Sequence, residues 1–218
     1  MTAALLSRHL TIGMRTAAFG AVLAAHAGLL AGFLVLWEGG VPMLPGANIY
    51  AQMRLVQAIL LTTLLPWTAA RCASDDRGNE LTMLSLITAC GSSRLVLAQF
   101  AGLFILLAAV VFSGLPLLLV AGQMAAVPPL RVVVDILAAL GLAAISAAVT
   151  LAWLHANADR FVAWLGATAS TAAIVLAVNV SLPQVAAAVC LVVLSLGCVA
   201  ASATRAGAST LYLSEDQA

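Results

Sequence analysis

The sequence predicts an all-α, polytopic membrane protein with six transmembrane helices, on two observations. Apolar residues make up 64% of the 218 residues, charged residues make up only 8%, and mean hydropathy is +1.13. A soluble domain carries about a quarter charged residues because its surface faces water. The apolar residues also form long runs, and the short segments between the runs hold almost all the charge. These runs approach the roughly 20 residues that cross a bilayer core as a helix.

The runs predict one transmembrane domain that covers residues 1–218. Its spans are predicted at residues 16–37, 49–70, 95–122, 132–154, 161–180 and 185–203. The third span is long enough to tilt, or to break at Gly114-Leu115-Pro116. The short link between the last two spans favours an antiparallel hairpin. The polar segment 1–15 is expected at the membrane surface, retained in the mature chain because no cleavage signal follows it.

The arginines predict the orientation, since cytoplasmic loops of membrane proteins retain positive charge. With the N-terminus inside, the inner segments hold Arg8, Arg15, Arg71, Arg77, Arg94, Arg160 and Arg205. The outer segments hold Arg131, and Arg54 lies near the outer boundary. We therefore expect a multi-pass protein of the bacterial inner membrane, embedded in the lipid bilayer, with both termini cytoplasmic.

Composition also excludes several classes of function. A net charge of +1 offers no basic field for nucleic acid, so no nucleic-acid partner is expected. The four cysteines form no Cys-x-x-Cys pair, which predicts neither a metal site nor a disulfide framework. The sequence contains no lysine, so it cannot form a phosphate-binding loop of the Gly-x-x-x-x-Gly-Lys type. We expect no cofactor and no catalytic residues in this chain.

Segment 71–94 is the only substantial hydrophilic stretch between spans. It opens with mixed charges at Asp75, Asp76, Arg77 and Glu80. A leucine-rich stretch from residue 81 to residue 88 follows, with its apolar residues near one helical face. This pattern predicts a short amphipathic helix on the cytoplasmic membrane surface. From composition alone, an ordinary surface helix that joins two spans explains the segment equally well.

The order of elements resembles the membrane subunit of type-2 ABC exporters over nearly the whole chain. That family places a Glu-Arg-Glu-x-Gly-Thr-Leu-Glu-x-Leu-like motif after the second span, then a proline and a basic residue before the third. Asp75-Asp76-Arg77-Gly78 resembles the charged opening, Leu81 and Leu84 resemble the leucines, and Arg94 resembles the later basic residue. Gly78 and Leu81 align together only with a one-residue shift, and Ala89-Cys90 stands where the family often has Thr-Pro or Ser-Pro.

The chain is also similar to one branch of this family, the B subunit of the haem-exporter-like cytochrome c maturation complex. Both have about this length and six spans, and the branch often carries a Leu-Pro-Leu element like Leu115-Pro116-Leu117 in its third span. We treat this branch as one substrate assignment among several, because a lipid, haem, peptide or drug path would be lined by similar apolar helices.

The resemblance implies a transmembrane subunit of an ATP-driven exporter that forms the substrate pathway and is not itself an enzyme. It implies two kinds of partner, a separate cytoplasmic ABC ATPase and a second membrane subunit, in a homo- or heterodimer. The segment 71–94 would then couple the spans to the ATPase. The coupling residues implied by the resemblance are Asp75, Asp76, Arg77, Gly78, Glu80, Leu81, Leu84 and Arg94.

Several polar residues inside the spans are further candidates, because an ionisable residue in a membrane needs a partner or a function. Arg54 and Asp135 would lie near the outer face, where they either snorkel to the interface or form a polar gate. His26 lies well inside the first span, where it either hydrogen-bonds within the bundle or meets a ligand. The alternatives to an exporter subunit are an intramembrane enzyme and a membrane scaffold without transport.

Overall fold

The protein is all-α wherever its structure is described. The computed structural model describes residues 2–38, 40, 48–77, 92–156 and 160–181. These residues form seven helices and no strand. In chain order the helices are α1 (Thr2–Arg15), α2 (Ala17–Glu38), α3 (Ile49–Arg77), α4 (Ser92–Ser113), α5 (Leu115–Met124), α6 (Pro129–Ala156) and α7 (Arg160–Ser181).

Four helical stretches are long and apolar enough to cross a membrane. They are Ala17–Glu38, Ile49–Cys72, Val96–Met124 and Pro129–Leu154. Helix α7 follows with a shorter apolar stretch, Phe161–Ile174. The prediction of an all-α polytopic membrane protein is therefore confirmed. The predicted sixth span, 185–203, lies outside the described residues.

The third predicted span is broken into two helices. Helix α4 ends at Ser113, and α5 begins at Leu115 with Pro116 in its first turn. Gly114 lies between them, and its backbone N–H bonds to the Val111 carbonyl at 3.2 Å, a tighter turn than an α-helix makes. Proline has no N–H and clashes with the preceding turn, so this break is the expected result of Pro116.

The N-terminal segment forms a helix that packs along α4 instead of standing apart from the bundle. Gly13 is buried directly against the side chain of Leu106, and Leu10 packs on the main apolar core. The hydroxyl of Thr16 lies 3.9 Å from the sulfur of Cys72, near the far end of the apolar part of α3. The polar composition of this segment predicts a position at the membrane surface. It does not predict the contact with α4, which depends on tertiary packing.

Helix α3 is the hub of the bundle, because it contacts each of the other six described helices. Its buried side chains recur every three or four residues, as at Met53, Gln57, Leu61 and Leu65, so that one face packs inward. Helix α6 lies alongside it and is buried on all sides between Gly141 and Leu151. These two helices position the polar residues described next.

Candidate polar site between α3 and α6

Asp135 on α6 is the centre of a polar cluster that joins α6 to α3. Its Oδ1 lies 3.2 Å from Nη1 of Arg54, and its Oδ2 accepts a hydrogen bond of 2.7 Å from the Tyr50 hydroxyl. Nε of Arg131 lies 3.8 Å from the same Oδ2. The Asp135 side chain is only 4% exposed, so its charge is compensated by these three groups rather than by water.

Local helical spacing explains why these four residues meet. Tyr50 and Arg54 are one turn apart on α3, and Arg131 and Asp135 are one turn apart on α6, so each pair shares a helical face. Both helices begin at the same end of the bundle, since Tyr50 and Arg131 lie in their first turns. The first two turns of each helix therefore present their polar residues to the other helix.

An apolar cluster lies beside the polar one, and Tyr50 belongs to both. Its fully buried members come from α2, α3, α5 and α6. They are Leu30, Phe33, Ile49, Tyr50, Met53, Leu118, Ala121 and Val132. A carboxylate at such a position stays only where hydrogen bonds and opposite charge offset its desolvation. The arrangement therefore fixes the relative position of α3 and α6 at this end of the bundle.

The two arginines of the cluster differ in exposure. The Arg131 side chain is 53% exposed. Arg54 is 34% exposed and pairs with the nearly enclosed Asp135. The snorkelling and gating interpretations of these residues both stay predictions. With one carboxylate against two guanidinium groups, the cluster carries a formal charge of +1.

Sequence reasoning named Arg54 and Asp135 but missed Tyr50. The signal was present, because Tyr50 precedes Arg54 by four residues and therefore shares its helical face. Nothing in the local sequence shows that this face meets Asp135, which is 85 residues away from Tyr50.

A second polar contact lies deeper, where α2 meets the break between α4 and α5. Nδ1 of His26 lies 3.0 Å from the Ser113 hydroxyl, which donates to the Val110 carbonyl at 2.7 Å. His26 is fully buried, as the interpretation of a histidine hydrogen-bonded within the bundle expects. Its other ring nitrogen, Nε2, has no hydrogen-bond partner among the described residues.

Four of the eight predicted coupling residues lie at the ends of helices, and the other four lie outside the described part of the chain. Asp75, Asp76 and Arg77 lie in the last turn of α3, and Arg94 lies in the first turn of α4. The remaining predicted residues, Gly78, Glu80, Leu81 and Leu84, lie outside the described residues, as does the predicted amphipathic helix.

The second span is predicted to end at residue 70 and the apolar stretch of α3 ends at Cys72, whereas the helix itself continues to Arg77. Residues 71–77 include no glycine or proline that would stop the helix, and Gly78 is the first such residue after Pro66. Charge ends the apolar span but does not by itself end a helix.

Within the described residues, no group of three or more His, Cys, Asp or Glu side chains could hold a metal ion. No protein-family model matches the chain, and no curated protein matches it either.

Proposed function

We propose that this chain is the transmembrane subunit of an ATP-driven ABC exporter of the bacterial inner membrane. Two membrane subunits form the substrate pathway, and a separate cytoplasmic ATPase binds and hydrolyses ATP. The observation that carries the proposal is the length of α3, together with the charges at its far end.

Helix α3 is longer than a membrane span needs to be. Its 29 residues extend about 43 Å, against a hydrocarbon core of about 30 Å. Its apolar stretch begins with the helix at Ile49 and ends at Cys72, so the excess length lies at the far end, with Asp75, Asp76 and Arg77. A helix that leaves the membrane with charged residues at its tip offers a cytoplasmic partner a contact that is continuous with the spans.

The same helix is able to carry a movement into the whole bundle. Helix α3 contacts every other described helix. In this proposal, a displacement of its charged end is passed to the others through these contacts. ATP shifts the spans only if the ATPase binds one of their conformations better than the other. The segment after Arg77 resembles the family's coupling motif. We propose that the ATPase binds this segment and thereby distinguishes the two conformations of the spans.

The Arg54–Asp135 pair supplies the outer gate in this proposal. It joins α3 and α6 at the end of the bundle away from the coupling segment. An ion pair that exists in the closed arrangement stabilises that arrangement, and ATP-driven movement of α3 has to separate it before a substrate leaves on the outer side.

The proposal is tested by purifying the tagged chain from membranes together with its native partners. We expect an ATPase to remain bound through purification, and we expect the isolated chain to hydrolyse no ATP. A chain that keeps its ATP turnover after removal of every other protein would refute the division of labour. A chain that never binds an ATPase would be a membrane scaffold or an intramembrane enzyme instead.

A further inference from the structure

The break between α4 and α5 removes the helical hydrogen bond that the Val110 carbonyl would otherwise accept. In a continuous helix the Gly114 N–H would bond to the Val110 carbonyl, but here it bonds to Val111 at 3.2 Å. The Ser113 hydroxyl donates to the Val110 carbonyl instead, at 2.7 Å. The single hydroxyl proton of Ser113 is therefore already used.

This use of the Ser113 proton favours one tautomer of His26. A carbonyl can only accept, so the Ser113 oxygen must accept the hydrogen bond it shares with Nδ1 of His26 at 3.0 Å. Nδ1 therefore carries the proton, and Nε2 presents a bare lone pair. That acceptor is enclosed within the bundle and has no partner among the described residues.

Three elements meet around this imidazole. A Cβ atom placed on Gly114 would lie 2.7 Å from Cε1 of His26, 2.8 Å from Cδ1 of Leu30 and 3.4 Å from Nε2 of Gln57. The absence of a side chain at Gly114 therefore brings the break directly against α2 and α3. A carboxamide and an imidazole thus share a small polar junction within apolar surroundings.

The junction lies near the middle of the spans. His26 is close to the centre of α2, and Ser113 is close to the centre of the apolar stretch Val96–Met124. Irregular backbone at this depth occurs where it is buried in protein or lines a cavity. An intramembrane histidine with an unmet acceptor at such a break is therefore a candidate for ligand contact.

We propose that the junction of His26, Gln57, Ser113 and Gly114 is a ligand-binding site for a largely apolar molecule that carries a hydroxyl or amide N–H. The donor group of that molecule bonds to Nε2 of His26 when α5 moves relative to α4 at Gly114. That the ligand is the transported molecule rests on the exporter function proposed above. The site itself requires only this chain.

The test is photolabelling of the full chain in its native membranes without an ATPase. The probes are a diazirine derivative of octanol and the matched diazirine derivative of octane, which differ in the hydroxyl alone. Mass spectrometry then locates the adducts. We expect the alcohol to label the junction about fivefold more than the hydrocarbon, the effect of one net hydrogen bond.

Two substitutions of His26 separate ligand binding from a structural role. H26N keeps a polar atom near the position of Nδ1 and loses the one at Nε2, whereas H26Q keeps one near Nε2 and loses the contact with Ser113. We expect H26N to lose the preference for the alcohol and H26Q to retain it. If His26 had a structural role alone, H26Q would lower membrane yield more than H26N, because H26Q loses the contact with Ser113. Neither substitution would then change the labelling.

T68V is the matched control, because Thr68 is equally buried on α3 but bonds to its own helix at the Leu64 carbonyl. It should label as the wild type does. Equal labelling by both probes in the wild type, or an undiminished alcohol preference in H26N, would overturn the proposal. Selective labelling of a chain that binds no ATPase when it is purified with its native partners would keep the site and refute the exporter.

Discussion

The guanidinium of Arg54 on α3 and the carboxylate of Asp135 on α6 form an ion pair at 3.2 Å, with the Asp135 side chain only 4% exposed. The Tyr50 hydroxyl and Arg131 complete the environment of the carboxylate. This pair connects α3 with the most buried of the four apolar stretches that the structure describes, at the end where both helices begin.

A double-mutant cycle measures this pair. R54Q and D135N should each lower the midpoint of thermal unfolding in detergent, with a coupling of about 1.5 kcal/mol between them, because Asp135 is enclosed while Arg54 is partly exposed. The cycle of R131Q with D135N should give a coupling of about 0.5 kcal/mol or less, since Arg131 is largely exposed and more distant. Equal couplings in the two cycles would contradict the geometry.

Gly166 is predicted to be essential for the packing of α6 against α7. A Cβ there would lie 2.6 Å from Cδ2 and Cε2 of Trp153, whose indole N–H donates to Ser170 at 3.2 Å. G166A should therefore destabilise the protein by about 1–3 kcal/mol through overpacking. The measurement is the thermal midpoint in detergent, followed by tryptophan fluorescence.

G28A provides the control for this prediction. Gly28 lies in α2, and a Cβ there would meet nothing within 4 Å. Alanine should therefore be neutral, or stabilising by about 0.5–1 kcal/mol, because it favours the helix. If G28A and G166A lowered the midpoint equally, the close contact with Trp153 would not be the cause.

The six-span topology predicts opposite sides for three introduced cysteines. In a background with alanine at the four native cysteines, G46C should react with a membrane-impermeant maleimide from outside intact cells. R77C and A208C should react only after the membrane is opened, because arginine-rich segments are retained in the cytoplasm. Reaction of all three from one side would exclude the model.

The coupling segment predicts a selective loss of partner binding. E80K and L84D should leave membrane yield unchanged. Each should weaken binding of the ATPase to the chain at least about tenfold, because a disrupted buried contact at an interface costs roughly 2–5 kcal/mol. An ordinary surface helix would tolerate both changes, since exposed ion pairs are worth about 1 kcal/mol or less.

E38K is the matched charge reversal for E80K. Glu38 is exposed at the end of α2, on the side that the orientation assigns to the exterior, so its reversal should not affect the ATPase. Pull-down of the ATPase and transport-linked hydrolysis are measured for all three variants. Unchanged binding and coupling in E80K and L84D would make the segment a simple connection between spans.

Several features follow from the sequence because they depend on interactions within one element. Mean hydropathy predicts a membrane protein, since about 20 apolar residues are stable across a bilayer only as a helix. Pro116 predicts the break at Gly114 because proline lacks the N–H that a continuous helix needs. Arg54 and Asp135 are recognisable as candidates because a charge near hydrocarbon demands a partner.

Tertiary structure alone decides which partner each group finds. Tyr50 reaches Asp135 across 85 residues and His26 reaches Ser113 across 87, so no local pattern contains either contact. The enclosure of α6 likewise depends on the helices around it and not on its own hydropathy, since the stretch Val96–Met124 is more apolar and yet less buried. Hydropathy places a residue in the membrane, whereas the packing of helices determines whether it faces lipid or another side chain.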